Sequence, residues 1–273
     1  MPELPEVETV VRTLRPQIVG QSIRSLWTSG QSLRMARRLD KKLLQEACVG
    51  ATICAVRRRG KYILIDFESG GGVIVHLGMT GRLTVTDEGN ERKKHTHVVW
   101  RLVRERELRF VDPRRFGSVQ TATEPDQLPE IRALGPDPLT ELDGEKLYAM
   151  LAESRAPIKT FLLDQHRLAG LGNIYVCEAL FRARIHPRTQ AVKARGKAEV
   201  LVRAIQETLE LGIANCGTSF RDFVDATGVP GKNIEALLVY AREGEMCLEC
   251  GGHVKRIVDA GRSTFFCPTC QKR

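Results

Sequence analysis

Four apolar residues near the start of the chain, Val7, Val10, Val11 and Leu14, recur at helical spacing and predict a helix from about Pro5 to Arg15. Pro5 suits a first turn, and Glu6 and Glu8 lie near the positive end of the helix dipole. Pro16 and Gly20 are expected to stop the helix. The pattern then changes to short apolar runs broken by turn residues. Strands are expected at Ser22–Trp27, Gly50–Arg58, Tyr62–Phe67, Gly72–Leu77, His97–Leu102 and Glu107–Val111, with turns such as Glu68-Ser69-Gly70-Gly71 between them. Many short strands punctuated in this way predict a β-sandwich or barrel.

Between Thr121 and Pro138 the texture shifts, and Pro125, Pro129, Pro136 and Pro138 mark a linker. Beyond it the apolar spacing is helical, over Thr140–Glu153, Pro157–Leu163, Leu171–Arg182 and Gly196–Asn215. Gly170-Leu171-Gly172-Asn173 and Ile185-His186-Pro187 are the expected breaks. The boundaries that follow are 1–122 for a β-rich part, 123–139 for the linker, 140–242 for a helical part and 243–273 for a terminal module. No internal repeat or low-complexity tract interrupts this order.

The terminal module is defined by cysteines. Of eight in the chain, Cys247, Cys250, Cys267 and Cys270 form two C-x-x-C pairs with sixteen residues between them. Four thiolates so spaced match a tetrahedral zinc site, one ion per chain, with no position left for water. A structural ion is therefore expected rather than a catalytic one, folding a hairpin that carries Lys255, Arg256 and Arg262. Redox pairs or paired disulfides are the alternative. Cys48, Cys54, Cys177 and Cys216 lie singly in apolar stretches and read as buried small hydrophobes.

Charge adds a partner. The 273 residues hold 42 Lys+Arg against 33 Asp+Glu, a net charge of +9, which favours an acidic partner and above all nucleic acid. Hydrophobic content of 42% excludes wholesale disorder, and no apolar run is long enough to cross a membrane as a helix. The first residues lack the apolar core of a secretory signal, so a cytoplasmic, nucleoid-associated protein with no membrane partner is expected.

The N-terminus could itself be reactive. Pro2 is small, which favours removal of Met1 and exposure of a secondary amine. Such an amine can attack a sugar carbon and form an iminium that has no N–H proton to lose, a good electron sink for elimination. A terminal amine has a pKa of about 7.7–8.0, so a neutral fraction exists at physiological pH. Glu3 stands next to it to move protons. Helix capping alone also accounts for a start rich in Pro and Glu, and without other evidence it is the better account.

Further blocks shift that balance. The opening MPELPEVETV resembles the N-terminus of the formamidopyrimidine-DNA glycosylase family, the 8-oxoguanine DNA glycosylases/AP lyases. Arg59-Gly60-Lys61-Tyr62 resembles the family's catalytic-lysine turn. His76-Leu77-Gly78-Met79-Thr80-Gly81 and Asp112-Pro113-Arg114-Arg115-Phe116-Gly117 resemble its two DNA-facing loops. Gly170-Leu171-Gly172-Asn173-Ile174-Tyr175 resembles its helix-two-turn-helix signature, and the zinc finger with Arg262 closes the series. The blocks keep the family order over essentially the whole chain.

The resemblance implies an α+β fold: an N-terminal β-sandwich with flanking helices, a helix-two-turn-helix domain and a C-terminal four-cysteine zinc finger. It implies a bifunctional enzyme acting on damaged double-stranded DNA as a monomer. Pro2 is then the nucleophile on C1′, Glu3 the acid/base, and Glu6 a support of the same pocket. Lys61 assists electrostatically beside the phosphates. Met79, Arg114 and Phe116 fill the gap left by a flipped base, since a hole in the stack costs a few kcal/mol unless a side chain occupies it. His76, Arg115, Lys159, Asn173 and Arg262 grip the backbone. For Met79 and Phe116 the plain alternative is core packing, and for Asn173 a turn. His95, His97, His166, His186 and His253 gain no role from any motif.

Departures from the family pattern touch lesion choice. In the loop Asp225–Leu238, thought to close over the flipped base, Lys232-Asn233-Ile234 stand where members often carry aromatics. Two rival readings remain: an endonuclease VIII-like enzyme for oxidised pyrimidines, and a non-catalytic zinc-ribbon DNA-binding protein. Leu4 argues against the first, which usually has glycine there, and the Pro2, Glu3 and Lys61 set against the second.

Overall fold

The computed structural model describes residues 1–33 and 40–272. Contacts divide the chain into two compact units. The first comprises Met1–Ala133 together with Asn215–Lys232, and the second Leu134–Ala214 and the chain from Asn233 onward.

The first unit opens with helix α1 (Leu4–Ile18), strand β1 (Ile23–Thr28) and helix α2 (Lys41–Cys48). Seven strands follow: β2 (Ile53–Arg59), β3 (Tyr62–Phe67), β4 (Gly72–His76), β5 (Arg82–Asp87), β6 (Thr96–Leu102), β7 (Arg106–Val111) and β8 (Ser118–Ala122). A short helix, α3 (Pro129–Arg132), ends the run. The strands form two antiparallel sheets of four, ordered β2-β3-β4-β8 and β1-β6-β7-β5. Ile63, Ile65, Val73 and Val75 of one sheet share a core with Leu83, Val98, Trp100 and Phe110 of the other. Val7, Val10, Val11 and Leu14 of α1 join the same core, which is the sandwich the strand pattern predicts.

Helix α1 does not stop at Pro16 but runs to Ile18. Proline there removes one backbone donor. Burial of Ile18, which is 0% exposed, holds the last turn in place, and the helix ends where the Val19 N–H reaches Arg15 O at 3.1 Å. Pairing adds β5 and β8, and packing adds α2, none of which the apolar pattern predicts.

Sheet order decides where two loops lie. Residues 77–81 cross from β4 in one sheet to β5 in the other, and residues 112–117 cross back from β7 to β8. His76 pairs with Ser118 and Arg82 with Val111. The strand that each crossover leaves is therefore paired with the strand on which the other arrives, so the two run side by side in opposite directions.

Residues 215–232 pack with the first unit through Ala226, which is 0% exposed in its core. The Ala226 N–H donates to Thr13 Oγ1 at 3.1 Å, and its carbonyl accepts from Val85 N at 2.9 Å.

The second unit contains helices α4 (Gly144–Ala152), α5 (Ile158–Leu163), α6 (Asn173–Arg182), α7 (Ala191–Ala194) and α8 (Ala198–Ala214), then strands β9 (Lys255–Asp259) and β10 (Arg262–Phe266). Helix α6 lies so close to α8 that a Cβ on Gly212 would sit 2.5 Å from the Tyr175 ring. Glu178 of α6, 2% exposed, accepts from the backbone N–H groups of Leu238, Val239 and Tyr240 at 2.8, 2.9 and 2.8 Å. Strands β9 and β10 form a hairpin whose turn residues, Ala260 and Gly261, both have positive φ, as a tight two-residue turn requires.

Two cysteines differ from expectation. Cys48 and Cys177 are buried, but Cys54 and Cys216 are exposed. Cys54 falls on the outward face of β2 beside inward Ile53, and Cys216 sits past the end of α8 with φ 58°. No helix among the described residues is long and apolar enough to cross a membrane.

The core of α1 gives a stability contrast. Leu14→Ala, at a position 0% exposed, should cost about 2–5 kcal/mol in urea unfolding. Arg12→Ala, which breaks a bridge to Glu8 from a side chain 58% exposed, should cost about 0–1 kcal/mol. Similar midpoints for the two variants would contradict this placement of the helix.

Candidate functional site

Pro2 and Glu3 are both buried at the head of α1. Met1, by contrast, is 52% exposed, and its removal would free the Pro2 nitrogen. Glu3 is the N-cap, and with Glu6 it forms a capping box. One carboxylate oxygen of Glu6 accepts from the Glu3 N–H at 2.8 Å. The other accepts from the Thr218 N–H at 2.7 Å. Glu6 is 2% exposed, so these bonds satisfy a carboxylate held out of water. The cap fixes the Glu3 backbone at the head of the helix.

Lys61 is 7% exposed, in the turn between β2 and β3. Arg59 pairs with Tyr62, leaving Gly60-Lys61 as a two-residue hairpin loop with Gly60 at φ 56°. The arginines before it are engaged. Arg57 chelates Asp66 at 2.6 Å and Asp126 at 2.7 Å, and Arg58 donates to Glu8 at 2.9 Å. Burial tends to raise the Glu8 pKa, but Arg12 and Arg58 outweigh it and hold the carboxyl below its ordinary range.

His76 ends β4 with its ring centroid 4.8 Å from that of Tyr62. Burial, reinforced by the nearby Lys61 charge, pushes its pKa down to about 4. Its Nδ1 accepts from the Gly78 N–H at 3.1 Å, so the neutral ring carries its proton on Nε2. His76 is therefore a neutral donor and not a cation at pH 7.

The two crossover loops carry the other residues of this unit. Met79 is 41% exposed, which excludes core packing for it. Arg114 is exposed, Arg115 and Phe116 are half-buried, and the Arg114 guanidinium lies 4.7 Å over the Phe116 ring. Arg115 has φ 57°, a conformation that L residues adopt at a cost. Beneath them Asp112 is fully buried.

In the second unit the predicted residues converge. Lys159 Nζ donates to Thr264 Oγ1 at 2.6 Å and to Ser263 O at 3.1 Å. Asn173 Nδ2 donates to the same Ser263 carbonyl at 2.9 Å. Arg262, next along β10, is exposed. Lys159 and Arg262 line a cleft of about 470 Å³ with Arg167, Asp164 and Asp259. Asn173 is the first residue of α6, after N-cap Gly172. The two turns before it are stapled by Gln165, which accepts from Gly170 N at 3.0 Å and donates to Leu163 O and Leu171 O at 3.0 and 2.8 Å.

The four terminal cysteines bring their sulfurs within 4.8 Å of one another. Cys247 and Cys270 are 3.9 Å apart and Cys250 and Cys267 3.5 Å, far longer than a disulfide. Zn–S bonds of about 2.3 Å in a regular tetrahedron give S–S edges of about 3.8 Å. The set therefore fits one closed, structural zinc.

Sequence reasoning missed the residues that hold the others in place: Thr80, His97, Asp112, Gln165, Glu178 and Thr218. Asp112 and Thr80 lie inside recognised blocks, but their bond spans 32 positions, which no local pattern reveals.

Three family models match the chain. They are the formamidopyrimidine-DNA glycosylase N-terminal domain over residues 1–119, the H2TH domain of the same glycosylases over 134–224, and a zinc finger found in FPG and IleRS over 244–273. A formamidopyrimidine-DNA glycosylase of Marinobacter nauticus is 43% identical, with 100% of each chain covered. Among solved structures, a complex of wild-type Lactococcus lactis Fpg (MutM) with DNA containing N7-benzyl-Fapy-dG is similar, with TM-score 0.91, 36% identity and 100% of each chain covered. A MutM complex with DNA containing carbocyclic 8-oxo-G gives TM-score 0.90 at 35% identity, again covering 100% of both chains.

Two measurements follow. Metal analysis should find about one zinc per chain, and Cys250→Ser should lower it, whereas a zinc-free native protein would refute the site. For His76 the folded pKa, about 4, lies below the ordinary 6.5, so the unfolded state binds more protons between those values. Its destabilising effect is absent above about pH 6.5, grows as pH falls, and is complete below about pH 4. The ring should titrate near pH 4 by NMR, and His76→Gln should flatten the acid limb of stability across that window.

Proposed function

The chain belongs to the formamidopyrimidine-DNA glycosylase family, and we propose that it excises oxidised purines, 8-oxoguanine and formamidopyrimidines, from duplex DNA and then cleaves the strand. It is a DNA glycosylase and AP lyase. The observation that carries the chemical reading is the buried Pro2–Glu3 head of α1, held by Glu6.

With Met1 removed, the lone pair of the Pro2 nitrogen attacks C1′ of the extruded nucleotide. The C1′–N9 bond breaks, and its electron pair leaves with the base, which takes up a proton. Glu3 accepts the amine proton and delivers it to O4′ as the sugar ring opens, leaving an iminium between Pro2 and C1′. Without an N–H to lose, this iminium stays cationic and acidifies the C2′ proton. Loss of that proton expels the 3′ phosphate, and a second elimination expels the 5′ phosphate. Water then hydrolyses the iminium and frees Pro2. Lys61 favours the anionic groups around the sugar by its charge.

Met79, Arg114 and Phe116 fill the vacated stack, the two apolar side chains replacing lost base contacts and Arg114 offering donors to the orphaned partner base. His76 grips a phosphate through its neutral Nε2–H, and Arg115 and Arg262 through full charges. Lys159 and Asn173 act on the same phosphate region, and the N–H groups at the start of α6 favour an anion there. The zinc keeps the β9–β10 hairpin folded, and with four cysteine ligands it has no position for water. We take the protein to act as a monomer at the cell's DNA. The Asp225–Leu238 departure bears on which lesion is preferred.

Borohydride trapping tests the chemistry. Wild-type protein should form a covalent adduct with 8-oxoguanine or abasic duplex, and a retained Met1 should abolish it. Equal trapping by Met1-blocked protein would place the nucleophile elsewhere. Cleavage of a panel including an oxidised pyrimidine separates the purine reading from an endonuclease VIII-like one, and the absence of any adduct would leave a binding protein only. Arg262→Ala should weaken duplex binding and reduce the salt slope by about 1, read from affinities across a salt series.

A further inference from the structure

Asp112 is a fully buried carboxylate under the two crossover loops, and it serves both. Its Oδ1 accepts from Thr80 Oγ1 at 2.6 Å, a residue of the Met79 loop. The same oxygen accepts from the Arg114 N–H at 3.2 Å, and Oδ2 accepts from the Gly117 N–H at 2.8 Å, both in its own loop. Its carbonyl accepts from the Arg115 N–H at 3.2 Å and from Nε2 of buried His97 at 3.0 Å. Because a carbonyl can only accept, His97 carries its proton on Nε2, and Ser29 Oγ, 3.1 Å from Nδ1, donates to the other nitrogen.

The backbones of the loops also touch. A Cβ on Gly78 would stand 2.4 Å from the carbonyl carbon of Phe116, and one on Gly117 would stand 2.6 Å from His76 O. Neither loop can shift along the other without breaking these contacts.

We propose that Thr80, Asp112 and His97 are positioning residues that latch the two loops into one rigid wedge, so that Met79 and Arg114–Phe116 enter the base stack together. The inference rests on the reading of Met79 and Phe116 as void fillers. A wedge of two independent loops would lose ordering entropy separately for each on insertion. A preformed wedge loses it once, during folding, which favours base extrusion over mere binding.

The test is a mutant cycle on excision of 8-oxoguanine from duplex DNA, with borohydride trapping on single-stranded abasic DNA as the control that needs no void filled. Thr80→Val keeps shape and removes the hydroxyl. It should lower duplex excision about 10- to 100-fold and leave single-strand trapping at the wild-type level. Thr80→Ser should restore most of the loss. In wild-type background, Met79→Ala and Phe116→Ala combined should depart from the product of their separate effects by at least about threefold, and in the Thr80→Val background they should multiply. Equal coupling in both backgrounds would overturn the latch and leave the void-filling reading standing. Loss of single-strand trapping in Thr80→Val would overturn it too, because a general fault in folding would then account for the effect. No effect of Met79→Ala or Phe116→Ala on duplex excision would overturn the void-filling reading and the latch together.

Discussion

A carboxylate taken out of water must find donors, and in this protein that requirement ties distant segments together. Glu6 takes the N–H of Glu3 and that of Thr218, more than two hundred positions away. Asp112 takes the hydroxyl of Thr80 and two N–H groups of its own loop. Glu178 takes three successive N–H groups at Leu238, Val239 and Tyr240. In each case a backbone segment with no regular structure is fixed by one acidic side chain on a helix or at a strand end. Replacing any of the three would leave orphaned N–H groups as well as a lost bond, and buried donors without partners are costly.

The same economy governs the cations. Arg57 and Arg58 are neutralised by acids of their own unit, so the run before Lys61 is not a free basic patch. His76 is kept neutral by burial and by Lys61, which gives the site a donor that adds no charge beside an ammonium. Arg114 and Arg262 are exposed and Arg115 is half-buried. The net charge of +9 fits a polyanionic partner but does not say which cations are already paired within the fold.

Much of the architecture was legible in the chain. Periodicity located α1 and most strands, because their inward positions are strongly apolar. It missed β5, which buries only Leu83 and Val85, β8, whose only buried large apolar residue is Val119, and α2, which buries only Leu44 and Cys48. Pro16 was misleading, because a proline stops a helix only if burial of the next turn does not outweigh one missing bond. Cys54 and Cys216 read as buried from their apolar neighbours, yet strand alternation and the end of α8 turn them outward.

By itself, then, the sequence determined the metal site, four cysteines at zinc-ribbon spacing, and the order of blocks that resemble the glycosylase family, from which alone the reading of Pro2 and Glu3 came. These are local patterns, and residue type and spacing suffice to state them. Tertiary structure alone decided which segments are coupled. Sheet order lays residues 77–81 beside 112–117, and the Glu6 and Ala226 bonds, with the Arg82–Asp222 ion pair, hold residues 215–232 to the rest of the first unit. The reason is that a hydrogen bond between residues 32 or 212 positions apart leaves no periodic trace. It exists only once burial has removed the water that would otherwise have satisfied both partners.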